Sequence, residues 1–170
     1  AMSTLAGAGD HIVAASGVYG GTYTLFDTTM RRFGVDTTFV SNTDADAFAA
    51  AIRPETKAVY TEIIGNPGGA VADLEALADV AHSHGLPLMV DSTFATPWLC
   101  RPMEWGADVV VHSATKFIGG HGTSIGGVVT EAGTFDWCSG RFPRMTEPVP
   151  THTGLTRPGQ FRVCSDWRAL

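Results

Sequence analysis

Short apolar runs that end in polar residues are the feature that most restricts the fold of this 170-residue chain. The clearest are LPLMVD (86–91) and ADVVVHS (107–113), and HIVAA (11–15) is a third. Runs of this length without polar alternation are typical of strands that are buried on both faces of a sheet. The pattern therefore predicts an α/β protein.

Helical segments alternate with these runs. Residues Tyr23, Phe26, Met30 and Phe33 recur at a spacing of three and four, which predicts one buried face of a helix over 20–34. Further helices are predicted at 44–52 and 73–85, and further strands at 36–40, 57–63 and 125–130. Strands that alternate with helices predict a mostly parallel sheet with helices on both faces.

Charge and composition exclude several classes of partner. The net charge is −6 and no Lys/Arg run occurs, so we expect no broad attraction to nucleic acid or to an anionic membrane. No stretch of about 18 apolar residues is present, so we expect no membrane-spanning helix. Three widely separated cysteines, Cys100, Cys138 and Cys164, do not form a disulfide framework and predict a reducing, cytoplasmic setting.

Polar side chains follow several of the predicted strands. Ligands of open α/β sheets bind beyond the carboxyl ends of the strands, so these residues are the candidates for a site. Asp91 ends one strand, and Lys116, one of only two lysines in the chain, follows the next. The two side chains form either a simple ion pair or a site that holds a cofactor between them. Pyridoxal phosphate (PLP) needs this combination, since its aldehyde bonds to a lysine and its ring nitrogen pairs with an aspartate.

The stretch Ser113–Lys116 also fits the S-x-x-K pattern of serine acylating enzymes. That class requires K-T-G and S-D-N elements as well. The other lysine, Lys57, is followed by alanine, and Ser165-Asp166 is followed by tryptophan, so both elements are missing. No metal site is predicted either, because the side chains of His82 and His84 diverge near a helix end.

Four consecutive motifs together resemble one known family. They are GDHIVAASGVYGGTYTLF, EIIGNPGG, VDSTFATP and HSATKFIGGHGTSIGG, and they are similar to motifs of the Cys/Met-metabolism family of PLP-dependent enzymes. The resemblance implies an aspartate-aminotransferase-like large domain of fold type I, of which residues 1–150 would be the central, incomplete part. Residues 151–170 do not resemble the family and read as an irregular tail, either an ordinary C-terminal tail or the altered end of a longer protein.

The resemblance implies a role for each polar residue at the strand ends. Lys116 would bond to the cofactor aldehyde and later carry protons, and Asp91 would pair with the pyridine nitrogen. Tyr19 would stack on the cofactor ring and assist proton transfer. Ser113 and Thr115 would bind the phosphate.

Three further residues are implied to support the cofactor. Asn66 would approach the phenolic oxygen, with Glu62 nearby, and Thr93 would support Asp91. Position 92 departs from the family pattern, because it holds Ser92 where the family usually has asparagine.

The implied reaction is a γ-replacement, in which O-acetylhomoserine and sulfide give homocysteine and acetate. Small-molecule amino-acid substrates and a homodimer or homotetramer of the full-length enzyme follow from the same resemblance. Two alternatives stay open. The chain is a non-catalytic remnant that binds cofactor weakly or not at all, or it is a relative of the cystathionine γ-synthase, cystathionine γ-lyase or methionine γ-lyase branches.

Overall fold

A computed structural model describes residues 1–146, so the predicted tail at 151–170 lies outside the described residues. The described strands form one six-stranded sheet in the order β2-β1-β3-β4-β5-β6. Strands β1 to β5 are parallel to their neighbours, and β6 is antiparallel to β5. The strands are β1 (His11–Ala15), β2 (Asp36–Val40), β3 (Thr56–Glu62), β4 (Leu88–Asp91), β5 (Val109–Ser113) and β6 (Gly127–Glu131).

Short helices connect most of the strands. They are α1 (Met2–Leu5), α2 (Gly20–Thr24), α3 (Ala45–Ala51), α4 (Leu74–Ser83), α5 (Thr96–Leu99) and α6 (Pro143–Thr146), with a 3₁₀ turn at Pro102–Trp105. Helix α2 continues directly into a π-helical segment, Leu25–Met30. No helix within residues 1–146 is long and apolar enough to cross a lipid bilayer.

The centre of the sheet is covered on both faces. All five residues of β1 are buried, and in β3 only Lys57 is partly accessible. Because successive side chains of a strand point to opposite faces, full burial of β1 requires cover on both sides. The predicted α/β fold, a mostly parallel sheet with helices on both faces, is therefore confirmed.

Helix α4 begins and ends where its residues dictate. The Asp73 carboxylate accepts a hydrogen bond from the Ala76 N–H at 3.1 Å, which satisfies one of the free donors of the first turn. Gly85, after the last turn, has a φ of +63°, which an L-residue rarely adopts. The predicted face of α4 is buried: Leu74, Leu77, Ala78 and Ala81.

Only two of the four residues predicted for the buried face of the helix over 20–34 are buried. Phe26 and Met30 are buried, but Phe33 is 72% exposed and Tyr23 40% exposed. The π-helical segment lies between Tyr23 and Phe33, and its wider turns rotate these two residues away from the face of Phe26. Tyr23 instead stacks on Phe39, with ring centroids 4.2 Å apart.

Strand β6 differs in direction and cover from the buried parallel strands. Four of its five residues are exposed, and it lies at the edge of the described sheet. The connection from β5 to β6 contains no helix. A parallel crossover usually passes through a helix, and this glycine-rich connection without one joins an antiparallel pair.

Candidate active site

The site is built at the carboxyl ends of β3, β4 and β5. Glu62 of β3 lies beside Asp91 of β4, which in turn lies beside Val111 of β5. Ser113 is two residues beyond Val111, and alternate residues of a strand share a face. Glu62, Asp91 and Ser113 are therefore on the same face of the sheet.

These three residues open on a cavity of about 400 Å³. All eight residues singled out in the sequence line it: Tyr19, Glu62, Asn66, Asp91, Thr93, Ser113, Thr115 and Lys116. The remaining lining residues are apolar: Ile64, Phe94 and Ile125. Loops after four different strands thus supply the lining of one cavity, as expected for the carboxyl edge of an open α/β sheet.

Hydrogen bonds from its neighbour hold the Asp91 carboxylate. Its Oδ1 atom accepts one bond from the Thr93 N–H at 2.8 Å and a second from the Thr93 hydroxyl. The same hydroxyl accepts a hydrogen bond from the Ser113 N–H at 2.8 Å. Thr93 therefore links the ends of β4 and β5 and fixes the orientation of the carboxylate in the cavity wall.

Glu62 fastens the loop that carries Tyr19. Its Oε1 atom accepts a hydrogen bond from the Tyr19 N–H at 2.7 Å, while the tyrosine ring is 56% exposed at the cavity. Burial raises the pKa of Glu62 to about 7, and the Asp91 charge acts in the same direction. The bond from Tyr19 opposes this rise but does not cancel it.

Lys116 lies in a tight turn after β5. Its N–H donates to the Ser113 carbonyl at 3.1 Å, and its own carbonyl accepts from the Gly120 N–H at 2.8 Å. The side chain is exposed. Within residues 1–146 its amine makes no hydrogen bond and no ion pair, so the simple Asp91–Lys116 ion pair that the sequence left open is not formed there.

Thr115 has a hydroxyl that is already engaged by backbone. It accepts a hydrogen bond from the Gly126 N–H at 3.1 Å and lies 3.3 Å from the Gly126 carbonyl. These bonds tie the lysine turn to the segment that leads into β6. Thr115 lines the cavity from this position.

Tyr60 is a residue at this site that sequence reasoning missed. It lies two residues before Glu62 on β3, on the same face of the sheet, and its ring packs edge-on against Phe26 at 5.0 Å. Burial raises the pKa of its phenol well above the usual range, and the charges of Asp91 and Glu62 act in the same direction. The signal was available, because residues i and i+2 of a strand share a face.

The donor set of this cavity fits PLP. An unpaired lysine amine, a fixed aspartate, the Ser113 hydroxyl and an exposed tyrosine ring surround a volume typical of small-molecule sites. Lys116 would hold the aldehyde, Asp91 the pyridine nitrogen, and Ser113 and Thr115 the phosphate. Within residues 1–146, no group of three or more His, Cys, Asp or Glu residues is placed to hold a metal ion.

Comparison with known proteins indicates the same cofactor. The family model for the Cys/Met metabolism PLP-dependent enzyme matches residues 1–150. A homocysteine synthase from Schizosaccharomyces pombe is 54% identical over 158 residues, which are 91% of this chain.

Two solved structures share the fold. An O-acetylhomoserine (thiol)-lyase from Campylobacter jejuni, which carries N'-pyridoxyl-lysine-5'-monophosphate, is similar with a TM-score of 0.88 and 32% identity over 98% of this chain. A cystathionine γ-lyase from Lactobacillus plantarum, complexed with L-serine, is similar with a TM-score of 0.74 and 42% identity over 76% of this chain.

The matched region is a part of each relative. It covers 37% of the yeast homocysteine synthase, 43% of the Campylobacter structure and 34% of the Lactobacillus structure. The family model nevertheless matches 150 of the 170 residues. The chain therefore belongs to the Cys/Met metabolism family of PLP-dependent enzymes.

Proposed function

We propose that residues 1–150 are the central part of the PLP-binding domain of a γ-replacement enzyme. Its reaction displaces acetate from O-acetylhomoserine with sulfide and gives homocysteine. The observation that carries the proposal is that the unpaired amine of Lys116 and the fixed carboxylate of Asp91 face one cavity without bonding each other. The names of the homocysteine synthase and the O-acetylhomoserine (thiol)-lyase supply the substrates.

Lys116 is the proton carrier in this proposal. When bound, PLP withdraws electrons from the α carbon of an amino-acid substrate and makes its proton acidic. The Lys116 amine would hold the aldehyde until the amine of the substrate displaces it, and the freed Lys116 amine would then accept the α proton. Within residues 1–146 the Lys116 amine makes no ion pair that would compete with these roles. The turn closed by the Gly120 N–H fixes the backbone from which the amine acts.

Asp91 and the hydroxyl groups bind and orient. Asp91 provides a negative charge for the pyridine nitrogen, and Thr93 holds that carboxylate in one orientation. Ser113 provides a hydroxyl group for the phosphate, and the Thr115 hydroxyl would turn from the Gly126 carbonyl to do the same. Because these residues come from the ends of β4 and β5 and the turn that follows, the sheet sets their relative positions.

Tyr19, Asn66 and Glu62 complete the opposite wall. Tyr19 presents its exposed ring to the cofactor face, and Asn66 approaches the phenolic oxygen. Glu62 acts through the backbone N–H of Tyr19. In this arrangement Glu62 supports the stacking ring and does not itself move protons in the reaction.

The same proposal includes a homodimer or homotetramer and a cytoplasmic location. Exposed large apolar side chains support association, since Trp98 is 92% exposed, Ile125 96% and Phe117 63%. The partners in catalysis are small molecules, with no nucleic acid and no membrane among them.

A second candidate is a carbon–sulfur lyase. It rests on the 42% identity to a cystathionine γ-lyase, which is lower than the 54% identity to the homocysteine synthase and therefore makes the lyase the second candidate. The residues that hold PLP serve either reaction. A third candidate is a remnant that binds PLP weakly and has no turnover.

Trapping on lysine tests the proposal. The 170-residue chain is incubated with PLP, reduced with borohydride, digested and analysed by mass spectrometry. We expect the adduct on Lys116 and not on Lys57, whose amine already bonds to the Arg141 carbonyl and lies near Asp10. Lys116→Ala should abolish the visible absorbance of bound PLP, whereas Lys57→Ala should retain it.

Product analysis then separates the candidates. Homocysteine formed from O-acetylhomoserine and sulfide supports the γ-replacement. Cysteine, 2-oxobutanoate and ammonia formed from cystathionine and water support the lyase. An adduct on Lys116 without any turnover supports the remnant. An adduct absent from Lys116 would refute the assignment of that residue.

A further inference from the structure

Asn42 follows strand β2 and was not singled out by the sequence. Its side chain is buried, with 6% exposed. Its Oδ1 atom accepts a hydrogen bond from the Gly17 N–H at 2.7 Å, and its Nδ2 atom donates to the Gly17 carbonyl at 3.3 Å. One amide side chain therefore engages both backbone groups of a single glycine.

The same glycine also contacts the loop after β3. Its carbonyl accepts a second hydrogen bond, from the Asn66 N–H at 2.9 Å. Gly17 lies two residues before Tyr19, and both Tyr19 and Asn66 line the cavity. Asn42 thus holds the point at which the loop carrying Tyr19 meets the loop carrying Asn66.

Close packing makes this junction narrow. A Cβ atom at Gly17 would lie 2.7 Å from the Asn42 Oδ1 atom. A Cβ atom at Gly65 would lie 2.8 Å from the Asn42 Nδ2 atom and 2.9 Å from the Gly17 carbonyl oxygen. Glycine at both positions is what allows the amide of Asn42 to reach between the two loops.

We propose that Asn42 is a positioning residue of the PLP site, which sets the separation of the two loops that carry Tyr19 and Asn66. Asn42 is not among the residues that line the cavity, so it acts through Gly17 and not on the cofactor. The inference rests on the cofactor-contacting roles proposed for Tyr19 and Asn66. It adds a residue that follows β2, a strand that contributes no lining residue to the cavity.

Asn42→Ala in the 170-residue chain tests the inference. Removal of both amide bonds should weaken PLP binding about tenfold, as measured by absorbance titration under conditions where the protein is folded by circular dichroism. Borohydride should still trap PLP on Lys116, because the lysine turn is untouched. The near-ultraviolet circular dichroism of bound PLP should change, since it reports the environment of the cofactor ring.

Arg141→Ala is the matched control for the loss of a side chain that fastens loops. The Arg141 guanidinium donates to the carbonyls of Thr56 and His84, away from the cavity. This variant should lose stability without a tenfold change in PLP affinity. If Asn42→Ala weakens PLP binding no more than Arg141→Ala does, the inference is overturned.

A double-mutant cycle and hydrogen exchange complete the test. If Asn42 acts through the loop of Tyr19, the effects of Asn42→Ala and Tyr19→Ala on PLP affinity should not add. Without PLP, Asn42→Ala should accelerate exchange of the Asn66 amide hydrogen at least tenfold, whereas Arg141→Ala should not. Additive effects of the two substitutions on PLP affinity, or unchanged hydrogen exchange at Asn66, would overturn the role of Asn42 but not the proposed function. If no PLP is trapped in the unsubstituted chain, the proposed function itself is overturned.

Discussion

Replacing Glu62 by glutamine tests how the buried carboxyl group beside Asp91 affects stability. Glutamine has nearly the shape of a protonated glutamate and keeps an oxygen that accepts the Tyr19 N–H. It cannot become charged. The variant therefore isolates the effect of ionising Glu62 from the effect of its hydrogen bond.

The size of the effect follows from the pKa of Glu62, which is raised from 4.5 to about 7. Between these values the folded chain holds a proton that the unfolded chain has released, so stability falls as pH rises through this window. At 1.36 kcal/mol for each pH unit, the full loss is about 3 kcal/mol above pH 7. Below pH 4.5 both states are protonated and the loss is absent.

Urea unfolding at a series of pH values from 5 to 8 measures this loss. Glu62→Gln should differ little from the unsubstituted chain near pH 5 and be more stable by about 3 kcal/mol at pH 8. Glu75→Gln, at an exposed position in the first turn of α4, controls for the loss of a surface carboxyl group.

Parallel stability curves for Glu62→Gln and the unsubstituted chain would refute this reasoning. So would a Glu62→Gln curve that gains stability at pH 5 instead of pH 8. Parallel curves would mean that Glu62 ionises in the folded chain as it does in the unfolded chain. A gain at pH 5 that is lost at pH 8 would mean that the pKa of Glu62 is lowered by folding and not raised.

Two further substitutions test the polar contacts at the end of β4. Thr93→Val removes a donor to the Asp91 carboxylate and the acceptor of the Ser113 N–H. Because Thr93 is half-buried, we expect its free energy of unfolding in urea to fall by about 2 kcal/mol. Thr93→Ser keeps the hydroxyl and should lower this free energy by less than about 1 kcal/mol. Equal losses for the two variants would contradict the hydrogen-bond account. Ser92 is fully buried and its hydroxyl makes no hydrogen bond within residues 1–146, so Ser92→Ala should keep or raise the melting temperature, and a marked drop would reveal an unseen partner.

The positions of the strand-end residues were predictable from the sequence. Continuous apolar runs indicate buried strands. The residues that follow such strands lie together at the carboxyl edge of a parallel sheet. Asp91 and Lys116 are 25 residues apart in the chain, yet both line one cavity because β4 and β5 are neighbours. The start of α4 was also predictable, because the Asp73 carboxylate accepts a hydrogen bond from a residue only three positions later.

Features that depend on contacts between distant segments were not predictable in this way. The Asn42 side chain forms a hydrogen bond with Gly17, 25 residues earlier, and the sequence around position 42 does not indicate this contact. The π-helical segment likewise breaks a regular apolar spacing, so Phe33 is exposed where the pattern placed it in the core. Strand β6 is antiparallel to β5, and an apolar sequence pattern alone does not give strand direction.

The two carboxyl groups at the centre of the site, Glu62 and Asp91, differ in their surroundings, and this difference leaves one carboxylate for the cofactor. Glu62 and Asp91 lie side by side on one face of the sheet, and two negative charges there would repel each other. Burial keeps Glu62 largely protonated up to a pH of about 7, where it accepts the Tyr19 N–H without adding charge. Asp91 instead receives both donors of Thr93, the arrangement that a carboxylate needs. Below a pH of about 7, Glu62 therefore adds little negative charge beside Asp91, the residue proposed to face the pyridine nitrogen.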